Sequence, residues 1–387
     1  MNPHKMVPTQ LVVKVASHCN IACKYCYMYF RGDESYKSTS RRISRETVAV
    51  LGLRINEYIE EYGLEHVIVT FHGGEPLLVG KRYFKEMLDE LLSICSADRL
   101  GFTVQTNGTL LDNEWIELLA RYKVNVGISL DGPRLINDRW RVDHKGKGTY
   151  AEATRGLVLA QSAADLRFRG VITVIDPSIS GREYYEFMTS ELCVERMNIL
   201  LPDADHDTMS TYVKSSLNEF SSFLMELFDE WWKDYPRTNI RFFEDIINKI
   251  VGADASSDLV GSAECRSIII DSDGDIEAHD VSRINKSGAH FEFNVHRDSI
   301  SRVFDDPTFK KLNQTERVPQ KCSECPVYNI CRSGFVPHRY SRENGYNNPS
   351  IYCEVLFNLI YHIYFKLLTD GCSPTVHDAP HSQPQWA

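Results

Sequence analysis

No stretch of this 387-residue chain approaches the roughly 18 consecutive apolar residues of a membrane span. Long basic blocks are missing too. With 43 Lys and Arg against 53 Asp and Glu, the formal charge is −10, which argues against nucleic acid as the main partner and leaves a peptide partner open. The opening residues Met1–Thr9 contain no apolar h-region, so no secretory signal is read and a cytoplasmic protein is expected. No internal repeat is present. A chain of about 300 residues or more buries roughly three quarters of its unfolded surface, so disulfides are not needed to hold a core.

Cysteine is abundant instead. Eleven are present, in two dense groups: Cys19, Cys23 and Cys26, then Cys322, Cys325, Cys331 and Cys353. Cys95, Cys193, Cys265 and Cys372 stand apart. An odd total without a signal peptide argues against a disulfide scaffold and for metal. Three thiolates at spacings of four and three can hold three irons of a cubane cluster and leave the fourth iron open, whereas iron–sulfur clusters usually take four cysteines. Zinc with a distant fourth ligand, or three unrelated thiols, are the alternatives. Cys322, Cys325, Cys331 and Cys353 have the number and spacing of one four-cysteine site, and spacing alone does not separate zinc from iron–sulfur.

The first half alternates strand-like and helix-like segments, which implies α/β architecture with a parallel sheet. Candidate strands are Leu11–Ala16, His66–Phe71, Gly101–Gln105, Val124–Ser129, Phe168–Val174 and Arg196–Leu200. Ser44 and Asp112 are placed to cap helices, the first with Val48, Leu51, Ile55 and Ile59 on one face. Six strands with intervening helices predict a partial (β/α)6 barrel over 1–204, its site at the carboxyl ends of the strands. Bridging helices and a linker are expected over 205–255. A cysteine-rich domain over 256–368 opens on a β-hairpin turning at Asp273-Gly274, and a disordered tail is expected over 369–387.

Polar motifs follow these strands. His72-Gly73-Gly74-Glu75-Pro76 follows the second, Gln105-Thr106-Asn107-Gly108 the third and Ser129-Leu130-Asp131-Gly132-Pro133 the fourth. Together with Cys19, Cys23 and Cys26 they resemble the radical S-adenosylmethionine superfamily, and the Thr-Asn-Gly and Ser-x-Asp-Gly-Pro stretches resemble anaerobic sulfatase maturases and their relatives. The resemblance implies a 4Fe-4S cluster whose open iron binds S-adenosylmethionine. By that resemblance Tyr25 shields the cluster and adenine, and Gly73, Gly74 and Glu75 receive the cofactor's amino group. Asn107 faces the same site, and Ser129 with Arg141 binds the cofactor carboxylate, with Arg139 a competitor. On the residues alone, Glu75 can equally cap a turn.

The last third resembles the SPASM domain, with Cys322, Cys325, Cys331 and Cys353 matching the ligands of its second auxiliary 4Fe-4S cluster. The first auxiliary site is depleted: His279 and Phe335 stand where cysteines are expected, and only Cys265 remains. Asp280 matches the general base of sulfatase maturases, and a water-poor cavity is expected to raise its pKa. Pro337-His338-Arg339-Tyr340 and Asn347–Cys353 resemble maturases that form three-residue cyclophanes in ribosomally made peptides, although Arg332-Ser333-Gly334 replaces their several glycines. The activity so implied is hydrogen abstraction from a side-chain Cβ by a 5′-deoxyadenosyl radical, followed by a carbon–carbon crosslink to an aromatic residue. A precursor peptide and an external one-electron reductant are the implied partners. Modification of a small molecule, including sulfur insertion, and oxidation of a protein residue in the manner of sulfatase maturases are the alternatives.

Overall fold

The computed structural model describes residues 7–31, 34–260, 267–277, 279–285, 293–307, 309–310 and 318–372. Cys265 and most of the expected tail lie outside them. The chain packs into two compact units, Met1–Val174 with Cys265–Asn313 and Ile175–Glu264 with Gln314–Ala387. The strands, in chain order, are β1 (Gln10–Ala16), β2 (Val67–Gly73), β3 (Leu100–Thr106), β4 (Asn125–Ser129), β5 (Arg167–Val174), β6 (Arg196–Leu200), β7 (Asn239–Ile240), β8 (Ser267–Ile270) and β9 (Ile276–Glu277). All six expected strands form.

In the first unit the strand order is β5-β4-β3-β2-β1-β8-β9. Every neighbouring pair through β8 is parallel, and only the β8–β9 hairpin is antiparallel. The alternation of Leu100, Phe102 and Val104 on β3 buries one face, the period-2 pattern of a strand. Helices cover the sheet as crossovers require. Arg45–Tyr62 begins where Ser44 Oγ accepts from Thr47 N at 2.9 Å, and Asn113–Arg121 where Asp112 Oδ1 accepts from Trp115 N at 2.9 Å. Each such cap contributes about 1 kcal/mol.

Between β1 and β2 the register slips between Lys14 and Ala16, so Lys14 lies opposite His72 and Ala16 opposite Gly73. Irregularities of this kind re-aim side chains beside active sites. The expected hairpin forms, and β8 lies against β1. A segment some 250 residues away in sequence thereby becomes the neighbour of the first strand.

In the second unit β6 and β7 pair in parallel. The helix Leu217–Asp234 presents Phe220, Leu224, Leu227, Phe228 and Trp231 to the core, and Phe228 meets Phe243 ring edge to face at 5.3 Å. The last helix, Cys353–Thr369, packs on Leu217–Asp234. Among the described residues no helix is long and apolar enough to cross a membrane.

Candidate active site

The loop after β1 carries Cys19, Cys23 and Cys26, all partly exposed. It is pinned to neighbouring elements by its backbone: Ala22 N donates to Val142 O at 2.6 Å and Lys24 N to Trp140 O at 2.9 Å. Burial pushes the Cys19 and Cys26 thiols up to about 12 and also raises Cys23, whose shift Arg141 opposes. Cys23 and Cys26 each raise Cys19 further, so the three sulfurs share one electrostatic neighbourhood. Binding metal there would displace protons from all three. Among the described residues no three His, Cys, Asp or Glu side chains converge as they would on a single metal ion. A multi-iron cluster spreads its ligands over separate corners, and this donor set fits that group.

The two glycines of the second motif are demanded by close approach. A Cβ on Gly74 would lie 2.1 Å from His18 O, and one on Gly73, whose φ is +132°, would lie 2.2 Å from Ala16 O. That contact seats the motif on the cysteine loop, with Gly74 N donating to Ala16 O at 2.8 Å and Glu75 N to His18 O at 3.0 Å. Glu75 is fully buried. Its Oε1 accepts from Thr106 Oγ1 at 2.7 Å and from Leu77 N at 3.0 Å, while Oε2 accepts from Asn107 N at 2.8 Å. Glu75 therefore caps the turn Pro76–Val79 and ties β2 to β3. Asn107 in turn donates from Nδ2 to Asn20 Oδ1 at 2.9 Å and to Cys19 Sγ at 3.7 Å, bracing the first cysteine.

Tyr25 stands between two charges. Its hydroxyl donates to Asp131 Oδ2 at 2.6 Å and accepts from Arg141 Nη1 at 2.8 Å. Burial disfavours the Arg141 charge, but Cys23, Tyr25 and Asp131 more than restore it. Arg139 is exposed at the end of the helix Arg134–Trp140, whereas Arg141 is buried beside Cys23. Of the two arginines, the structure brings Arg141 to the cysteine loop. Ser129, at the end of β4, accepts from Gln105 Nε2 at 2.9 Å.

Asp280, just past β9, is met by residues from four elements. Lys14 Nζ on β1 forms an ion contact with Oδ1, the Tyr27 hydroxyl donates to Oδ2, and His72 Nδ1 on β2 lies 4.0 Å from Oδ2. Arg283 adds a further positive charge. Burial alone would raise the Asp280 pKa, as expected from the sequence. Lys14, His72 and Arg283 reverse that direction and hold the carboxyl well below the usual carboxylate range. Burial also lowers the His72 pKa, which favours its neutral imidazole. Breaking a buried pair such as Lys14–Asp280 by removing one partner costs about 3–5 kcal/mol. Behind it Arg283 binds both Glu277 and Asp271, and burial lifts Glu277 to about 7.

Lys14, Tyr27 and His72 were not singled out from the sequence. A lysine inside the apolar run Leu11–Ala16 and a tyrosine directly after the third cysteine were the available signals. In the second unit Cys322, Cys325, Cys331 and Cys353 line a cavity of about 650 Å³ with Tyr328 and Phe357. The turn after Cys331 runs through three left-handed residues, Arg332 (φ 51°), Ser333 (φ 68°) and Gly334 (φ 77°). Pro337-His338-Arg339-Tyr340 is locked to the last loop, Arg339 Nε donating to Asn348 O at 3.1 Å and Asn348 Nδ2 to Arg339 O at 2.9 Å. His279 and Phe335 are both buried.

Residues 13–177, which carry the cysteine loop and the first five strands, match the Radical SAM superfamily; with the relatives below, that match supports a radical SAM oxidoreductase or maturase, and the superfamily implies a 4Fe-4S cluster and S-adenosylmethionine. Over nearly its whole length the chain is similar to anaerobic sulfatase-maturating enzymes. It is 26% identical to the cysteine-type enzyme of Clostridium perfringens (strain 13 / Type A), over 90% of this chain and 94% of that one. It is 24% identical to the serine-type enzyme of Bacteroides thetaiotaomicron, over 92% and 89%. The fold agrees with solved structures of anSMEcpe with bound AdoMet and the Cp18Cys peptide (TM-score 0.80, 22% identity, 93% and 98% covered). It also agrees with Streptococcus suis SuiB bound to S-adenosylmethionine (TM-score 0.60, 17% identity, 90% and 77% covered).

Proposed function

We propose that the protein oxidises a residue of a peptide or protein substrate at its side-chain Cβ, as sulfatase maturases oxidise Cys or Ser. The observation that supports this best is the similarity to anaerobic sulfatase-maturating enzymes over 90% of the chain, with Asp280 hydrogen-bonded by the tyrosine that directly follows the third cysteine. When bound, the clusters and S-adenosylmethionine, fed by an external reductant, supply the one-electron chemistry that ends in hydrogen-atom abstraction. The chain's residues do the rest. Arg141 with Ser129 would receive the cofactor's carboxylate and the Gly73-Gly74 backbone beside Glu75 its amino group, while Asn107 braces Cys19. Tyr25 orients Arg141. Loss of a hydrogen atom from Cβ to the cofactor-derived radical, then of one proton and one electron, is a two-electron oxidation; Asp280 accepts the proton at Oδ2, and the auxiliary cluster would supply the acceptor for the electron. Cys322, Cys325, Cys331 and Cys353 would hold the auxiliary cluster.

A second reading, capture of the Cβ radical by a neighbouring aromatic ring with loss of one proton and one electron to form a carbon–carbon crosslink, is favoured by His279 and Phe335. They stand at two positions where sulfatase maturases carry cysteine. Anaerobically reconstituted enzyme, given S-adenosylmethionine, a chemical reductant and the Cp18Cys peptide, tests both. The proposal expects 5′-deoxyadenosine together with a peptide that reacts with a hydrazine probe for aldehydes. A peptide lighter by two hydrogens and silent to hydrazine supports the crosslink instead. Intact peptide and no 5′-deoxyadenosine would defeat both.

A further inference from the structure

Lys14 is fully buried in the middle of an otherwise apolar strand segment, an expensive place for an ammonium group. Replacing a buried ion pair with apolar side chains is often neutral or stabilising, so the fold itself does not require this lysine. Its contacts point elsewhere. The ammonium meets Asp280 Oδ1, and the Tyr27 ring lies 5.8 Å from Nζ, while the Tyr27 hydroxyl takes the other oxygen, Oδ2. The register slip directly after Lys14 and its pairing with His72 set this side chain and the imidazole on one carboxylate.

We propose that Lys14 is a positioning residue that fixes one oxygen of Asp280 and keeps the carboxylate charged, leaving Oδ2 beside Tyr27 and His72 as the edge that takes the substrate's proton. The catalytic part rests on Asp280 being the base. The charge coupling does not. The groups facing Asp280 are Lys14 from β1, His72 from β2, Tyr27 from the cysteine loop and Arg283 from the turn after it. With Lys14 in place the carboxylate is ionised across the working range. Without it only His72 and Arg283 oppose the burial penalty, and the balance shifts toward the protonated acid, which cannot accept the substrate's proton.

The test uses reconstituted full-length enzyme with Lys14→Met, Lys14→Arg, Asp280→Asn and the double variant Lys14→Met/Asp280→Asn. Thermal midpoints are measured from about pH 5.5 to about pH 8.5. Lys14→Met should be less stable than the parent, with a deficit that grows as pH rises, because the unpaired carboxylate must ionise while buried. In the Asp280→Asn background the Lys14→Met deficit should lose its pH dependence, and Lys14→Arg should restore the parent profile. With S-adenosylmethionine and the Cp18Cys peptide, Lys14→Met should form 5′-deoxyadenosine within about twofold of the parent but product at least about tenfold more slowly, recovering as pH rises. A deficit independent of pH, or one unchanged by Asp280→Asn, would overturn the charge coupling. A coupled pair with an unaltered product profile would overturn the positioning role. Absence of product from the parent enzyme would instead count against the proposed function.

Discussion

The two cysteine groups are held by different kinds of backbone. Cys19, Cys23 and Cys26 follow β1, which carries a register slip at its end, and are bound on one side by a glycine pair whose missing Cβ atoms let the chain at the end of β2 touch the loop. Cys322, Cys325, Cys331 and Cys353 are carried by short turns and the start of one helix, and the turn after Cys331 forces Arg332 and Ser333 into left-handed backbone. In the proposed function the first group would hold a cluster with one iron open to a ligand. The second, whose four cysteines line one cavity, would hold an auxiliary cluster.

The sharpest way to break this contrast is to remove each group in turn. Replacing Cys19, Cys23 and Cys26 together by Ala should abolish 5′-deoxyadenosine formation, measured by chromatography after anaerobic reconstitution. Replacing Cys322 and Cys325 by Ala should leave cofactor cleavage within about tenfold of the parent while product is lost. The parent should carry about eight irons and each set of variants about four; about twelve would contradict a vacated first auxiliary site. Asp280→Asn should spare cofactor cleavage and slow product by about 100-fold, the scale of general-base catalysis. The smallest effect concerns the backbone. Ser333→Gly removes a left-handed side-chain penalty and should stabilise the protein by about 0.5–1 kcal/mol, read as a raised thermal midpoint.

Much of this was legible in sequence because strands and caps are local. The six barrel strands, the Ser44 and Asp112 caps and the Asp273-Gly274 hairpin all follow from period and turn chemistry. The glycines expected after Cys331 from the cyclophane-maturase resemblance would suit this turn, which runs at positive φ through Arg332, Ser333 and Gly334. What was not legible depends on distant segments meeting. Nothing local says that β8 lies against β1, and that neighbour is what brings Asp280 to Lys14. The direction of the Asp280 shift was therefore misjudged: burial was foreseen, and the lysine that outweighs it was not. Arg141 was preferred to Arg139 on resemblance alone, and the physical reason is burial, which places Arg141 beside Cys23 and Arg139 at the surface.

The central claim is that three cysteine thiolates leave one iron corner for S-adenosylmethionine. Electron paramagnetic resonance of the reduced Cys322→Ala/Cys325→Ala variant, recorded before and after adding S-adenosylmethionine, tests it most directly. A four-iron signal that changes on addition of the cofactor is the predicted result. An unchanged signal, or zinc in place of iron at these three cysteines, would contradict it.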